Sequence, residues 1–87
     1  MEALEIERKI HEVVAEAQMD VTGKDCDFSV TIISDEFEGL STMKRQQKIL
    51  SAFTNELTSG ALHALTIKAF TLAEWNSKSS HLVQISL

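Results

Sequence analysis

The 87 residues include 13 Asp and Glu against 8 Lys and Arg, a net charge of −5, and the side chains are 44% apolar and 24% charged. These are the values of one ordinary soluble domain with a thin core. They exclude a run of ~20 apolar residues able to span a bilayer and give no cationic surface for nonspecific nucleic-acid binding. The start, Met1-Glu2-Ala3-Leu4-Glu5, has neither the apolar core of a secretory signal nor the Arg/Ser bias of a transit peptide. One cysteine cannot close an internal disulfide and suits a reducing compartment, so the expected location is the cytoplasm, the nucleus included.

Residues 2–18 read as a helix, because Ile6, Ile10, Val13, Val14 and Ala17 recur at three- and four-residue spacing. His11 lies on its polar side as a surface histidine. Met19–Thr22 is a short strand candidate, and Gly23-Lys24-Asp25-Cys26-Asp27 a loop. Phe28–Ser34 is the clearest strand, β-branched and alternating. Asp35–Leu40 then turns, with Phe37 packing inward. Ser41 or Thr42 caps a second helix that runs to about residues 54–57, with Met43, Leu50, Phe53 and Leu57 as its buried stripe and Ile49 assisting. Its basic trio, Lys44, Arg45 and Lys48, reads as a solvated face.

Thr58-Ser59-Gly60 ends that helix, and Ala64–Ala69 forms a third strand with Leu65, Ile67 and Ala69 on one face and Ala64, Thr66 and Lys68 on the other. Thr71-Leu72-Ala73-Glu74 has the spacing of a capping box and starts a short helix carrying Trp75, read as a core-sealing aromatic. The domain is expected to occupy residues 1–76. The tail, 77–87, begins polar and continues as His81-Leu82-Val83-Gln84-Ile85-Ser86-Leu87, which is either an added edge strand or a mobile end; His81 is a weak third metal-ligand candidate there.

The second and third strands are joined through a helix, a connection that favours parallel strands. Parallel strands begin at the same edge of the sheet. Cys26 precedes one and His63 precedes the other, so the topology draws the single thiol towards the imidazole at the mouth of a rigid element. Thiolate and imidazole suit zinc or one iron of an iron–sulfur cluster, yet two donors complete neither, and the remainder would come from a partner. A Cys/His hydrolase is the rival reading, but no orienting acid or oxyanion hole can be placed for it.

Several pieces in their order resemble the BolA-like family: Cys26-x-Phe28 leading into the strand to Ser34, Phe37-Glu38-Gly39 with Arg45 downstream, Leu62-His63-Ala64-Leu65, and Thr71-Leu72-Ala73-Glu74-Trp75. The resemblance spans roughly residues 4–76 and implies an α/β (α+β) domain similar to a type II KH domain, ordered α-β-β-α-(α)-β-α around a three-stranded mixed sheet. It implies a non-enzymatic role beside a monothiol glutaredoxin in iron–sulfur cluster handling or iron homeostasis. The family's cluster-binding histidine falls on His63 and its loop-borne ligand on Cys26, a cysteine at that place resembling the cytosolic branch. The thiolates of glutaredoxin and glutathione would complete the shell of a shared 2Fe–2S cluster. Arg45, Phe37, Gly39, Leu62 and Ala64 are the implied partner-binding positions, in a heterodimer formed by a chain that alone is a monomer or weak homodimer.

Two departures stand out. Arg45-Gln46-Gln47 replaces the family's common Arg-His-Arg, and Leu72 replaces a usual Pro. The alternative reading implied by the same fold is a nucleic-acid-binding transcriptional regulator. Against it stand the acidic charge and the absence of a Gly-x-x-Gly loop.

Overall fold

The computed structural model describes residues 2–25 and 27–77. Helix α1 (Ala3–Val13) leads into strands β1 (Gln18–Lys24) and β2 (Asp27–Ile33), and a 3-10 turn (Asp35–Phe37) precedes helix α2 (Thr42–Leu50). A second 3-10 turn (Ser51–Phe53), helix α3 (Thr54–Ser59) and strand β3 (Ala64–Phe70) follow. A last helix, α4, occupies 72–77. The sheet order is β1-β2-β3, antiparallel between β1 and β2 and parallel between β2 and β3, as the helical crossover requires. Among the described residues no helix is long and apolar enough to cross a membrane.

Alternation along the strands sends Phe28, Val30, Ile32 and Ile67 to one face, where they meet Ile6 and Ile10 of α1, Ile49 of α2, and Phe37, Phe53 and Leu62 from the connections. The opposite face is polar along Thr22, Ser29, Thr66 and Lys68 and ends in Ile33 and Phe70. Trp75 packs there, its ring 5.6 Å from that of Phe70. It is therefore a half-buried cover on the outer face of the sheet rather than a seal on the core.

Three sequence expectations need correcting. Helix α1 stops at Val13, short of residue 18, because Val14 turns extended (φ −132°, ψ 93°) while still burying its side chain. The chain beyond is held by the end of β2: the Ser34 hydroxyl donates to the Glu16 carbonyl at 2.6 Å, and the Glu16 amide donates to Glu36 Oε2 at 2.9 Å. The second helix is interrupted after Leu50 by the 3-10 turn. The buried residues are Ile49 and Phe53, four positions apart, whereas Met43 is 69% exposed and Leu57 lies at the surface. The strand expected at Met19–Thr22 is longer, and its pairing with β2 continues to Lys24↔Asp27, so only positions 25 and 26 remain between the strands.

The caps agree with the sequence. Ser41 Oγ accepts the Lys44 amide at 3.2 Å. At α4 both halves of the capping box are made: the Glu74 amide donates to Thr71 Oγ1 at 3.2 Å, and the Thr71 amide donates to Glu74 Oε1 at 2.9 Å.

Candidate functional site

His63 is exposed and immediately precedes β3. Its position is set by its predecessor: the Leu62 side chain is wholly buried in the core, and the Leu62 amide donates to the Glu56 carbonyl of α3 at 3.0 Å. Glu56 is also tied across to α1, its Oε2 lying 2.9 Å from Lys9 Nζ, and that ammonium holds the Glu56 carboxyl below the usual carboxylate range. An apolar anchor and two polar ties thus hold the stem from which the imidazole projects. This is the arrangement of a presented side chain on a fixed base.

The parallel register pairs Asp27 with Ala64. These residues directly follow Cys26 and His63, so the two candidate ligand positions enter adjacent strands at one rim of the sheet. Cys26 itself lies outside the described residues, as do His81 and the tail from residue 78. Beside this rim, Glu2, Glu5 and Asp25 line a surface hollow with Lys24 and Phe28. Among the described residues, no three His, Cys, Asp or Glu side chains gather as a metal site.

The implied partner-binding residues do not form one group. Ala64 and Leu62 flank His63, but Leu62 presents no surface because its side chain is core. Phe37, Gly39 and Arg45 sit at the far end of the sheet, where β2 and β3 finish. A strand rises ~3.3 Å per residue, which separates the two ends by roughly 20 Å.

Phe37 is fully buried, and Gly39 is exposed. Arg45 is neither solvated nor free for a partner. Its Nε donates to the Leu40 carbonyl at 2.9 Å, its Nη1 to the Ala69 carbonyl at 3.1 Å, and its two terminal nitrogens grip the Glu74 carboxylate at 2.6 and 3.1 Å. The guanidinium also lies 5.8 Å from the centre of the Phe37 ring. Arg45 and the Thr71 amide hold the Glu74 carboxyl down to about 2. Arg45 therefore clamps α2, β3 and α4 together. Only the later Glu74, already assigned to a capping box, signalled in the sequence that a carboxylate was available to receive it.

A three-stranded mixed sheet with α1 and α2 on one face and Trp75 of α4 on the other, and an imidazole displayed where the parallel strand begins, defines a small α+β domain. The chain belongs to the BolA-like family: the family model described as BolA-like protein matches residues 1–74. It is similar to the acid stress protein IbaG of Escherichia coli K12, 31% identical over 75 residues that cover 86% of this chain and 89% of IbaG. Among solved structures it resembles the BolA domain of SufE1 from Arabidopsis thaliana, with a TM-score of 0.73 and 30% identity over 85% of this chain and 98% of that one. Yeast Fra2 is similar with a TM-score of 0.60 and 30% identity, over 83% and 76% of the two chains.

Proposed function

We propose that this chain is a non-enzymatic partner of a monothiol glutaredoxin, and that the two together hold a 2Fe–2S cluster as cargo for iron–sulfur trafficking or iron regulation. The observation that supports the reading best is the pairing of Asp27 with Ala64, which brings the positions of Cys26 and His63 to one rim of the sheet. His63 supplies one donor and Cys26 a second. The glutaredoxin thiolate and a glutathione thiolate supply the other two of the four that such a cluster needs.

The donor set fits this cargo by its chemistry. Imidazole and thiolate are ligands that iron in a sulfide cluster accepts, whereas the carboxylates near the rim suit harder ions. A neutral imidazole in place of a thiolate raises the potential of the cluster, and protons compete with iron for that nitrogen, so binding weakens in acid. The partner footprint is centred on His63 and Ala64. Arg45 contributes to it only by keeping the far end of the sheet folded, since its donors are already used. The chain acts in the cytoplasm or nucleus, alone as a monomer or weak homodimer and as a heterodimer with the glutaredoxin.

The test is co-expression with a monothiol glutaredoxin, followed by iron, sulfide and visible-spectrum analysis of the purified complex. The reading expects a coloured heterodimer containing iron and sulfide in equal amounts and bleaching as the pH is lowered. A complex that forms without iron or sulfide, or no complex at all, overturns it.

A further inference from the structure

Strand β3 closes one side of the sheet, with β2 as its only strand neighbour among the described residues. Successive residues of a parallel-paired strand send their N–H and C=O groups alternately to one side and the other. The Phe70 carbonyl accepts the Ser34 amide on the β2 side, so the Ala69 carbonyl points the opposite way, where Arg45 Nη1 meets it at 3.1 Å. The amides and carbonyls of Leu65 and Ile67 share that outward direction. No group among the described residues receives them, and Arg45 closes this edge only at its far end. Folded proteins normally cover or blunt such a row, because it is a template for another strand.

A cavity of about 230 Å³ lies along the edge, lined by Thr42 and Gln46 of α2 and by Ile67, Lys68 and Ala69. The side chains of β3 border it in two rows. Leu65, Ile67 and Ala69 make an apolar row on the helix-covered face, while Thr66 and Lys68 are exposed on the other. Lys68 has no ion pair among the described residues. The register Asp20↔Thr31 and Thr31↔Lys68 puts the one acid of its row two strands away, at ~10 Å.

We propose that the β3 edge takes an extended segment of a partner protein as an added strand, with apolar side chains beside Leu65 and Ile67 and an acidic one beside Lys68. A polypeptide backbone supplies donors and acceptors at the spacing of the outward groups, and a carboxylate across from Lys68 gives it the cross-strand partner it lacks. The phosphates of a nucleic acid would instead face outward carbonyls on a chain of net charge −5. A second copy of β3, turned antiparallel about Ile67, sets Lys68 opposite Thr66 and leaves both lysines without an acid. The proposal is independent of the cluster reading, because neither His63 nor Cys26 enters it.

NMR titration of the isotope-labelled full chain to millimolar peptide tests it. The probes are the capped heptapeptide Thr-Val-Glu-Val-Glu-Val-Thr, its counterpart with Lys in place of Glu, and a single-stranded oligonucleotide. The acidic peptide should shift the Leu65, Ile67 and Ala69 amides and slow their exchange while leaving β1 unchanged. It should bind about fivefold more tightly than the Lys peptide, and Lys68→Glu should reverse that order. An acidic peptide that maps elsewhere or does not bind overturns the proposal, as does a preference between the peptides that Lys68→Glu leaves unmoved. Shifts of these amides with the oligonucleotide but not the peptide overturn it in favour of nucleic acid. Shifts with protein concentration alone overturn it in favour of a second copy of the chain.

Discussion

Replacing Gly23 by Ala tests how the hairpin beside the candidate site is held. Gly23 has φ +113°, and a Cβ built there would lie 2.3 Å from the Asp27 carbonyl oxygen and 2.9 Å from the Phe28 Cα. Both are backbone atoms of the paired strand, so no side-chain rotation relieves the contact. The backbone strain alone costs about 1–3 kcal/mol, and removing the clash requires the end of the hairpin, Gly23↔Phe28 and Lys24↔Asp27, to open. Together these give a destabilisation of about 3 kcal/mol, which for a domain of this size lowers Tm by roughly 12–24 °C.

Gly60 is the comparison. It also has a positive φ, +85°, but an added Cβ meets nothing within 4 Å. Gly60→Ala should therefore cost only the left-handed strain, about 1 kcal/mol. Urea titrations and thermal scans of both variants measure the difference. If Gly23→Ala costs no more than Gly60→Ala, the tight backbone approach is not what shapes the hairpin.

Phe53→Ala, at a fully buried position, should cost about 3–5 kcal/mol, whereas Met43→Ala on the exposed side of α2 should change stability by no more than about 0.5 kcal/mol; urea titration of the pair shows whether Ile49 and Phe53 rather than Met43 carry the helix. Ser41→Ala removes the acceptor of the Lys44 amide and should cost about 1 kcal/mol, read in the same assay. The Glu74 carboxyl lies at about 2 when folded against an ordinary 4.5. A depressed carboxyl stabilises the fold above its unfolded value, so this contribution is present above about 4.5 and is lost as the pH falls towards 2. Comparing the acid unfolding of the wild type with that of Glu74→Gln should show a shallower loss of stability over that window in the variant, and identical slopes would deny the ion pair that role.

Local pattern and short-range chemistry made much of the fold legible. The alternation of Phe28, Val30 and Ile32 and the Thr71/Glu74 box are each encoded within a few residues, and the helical link between β2 and β3 in the periodicity of the segment that joins them. The errors fall where distant partners decide. Periodicity through Val13, Val14 and Ala17 suggested more helix, but the Ser34 hydroxyl and the Glu36 carboxylate hold the Glu16 backbone in a different path. Met43 and Ile49 are both apolar but lie six positions apart on different faces of α2, and only the packing of that helix on the sheet determines that Ile49 is the one buried. Arg45 looked like part of a solvated basic face because its acceptors, the Ala69 carbonyl and Glu74, lie 24 and 29 residues away.

Around the candidate site, only the backbone frame was legible in the sequence. His63 immediately precedes β3, and the crossover makes β2 and β3 parallel, so that Asp27 pairs with Ala64. The partner residues could not be sorted, since burial of Phe37 and Leu62 and the separation of Arg45 from His63 are properties of the assembled sheet. Leu62 anchors the imidazole from beneath, a role no local pattern announces.

The most direct measurement is the visible absorption of the complex with a monothiol glutaredoxin, made with the wild-type chain and with His63→Ala. If His63 is a ligand, the variant complex loses the spectrum that distinguishes the mixed assembly from glutaredoxin alone, while circular dichroism shows the same folded domain. A variant complex with an unchanged spectrum and unchanged iron and sulfide contents would remove His63 from the cluster and contradict the account.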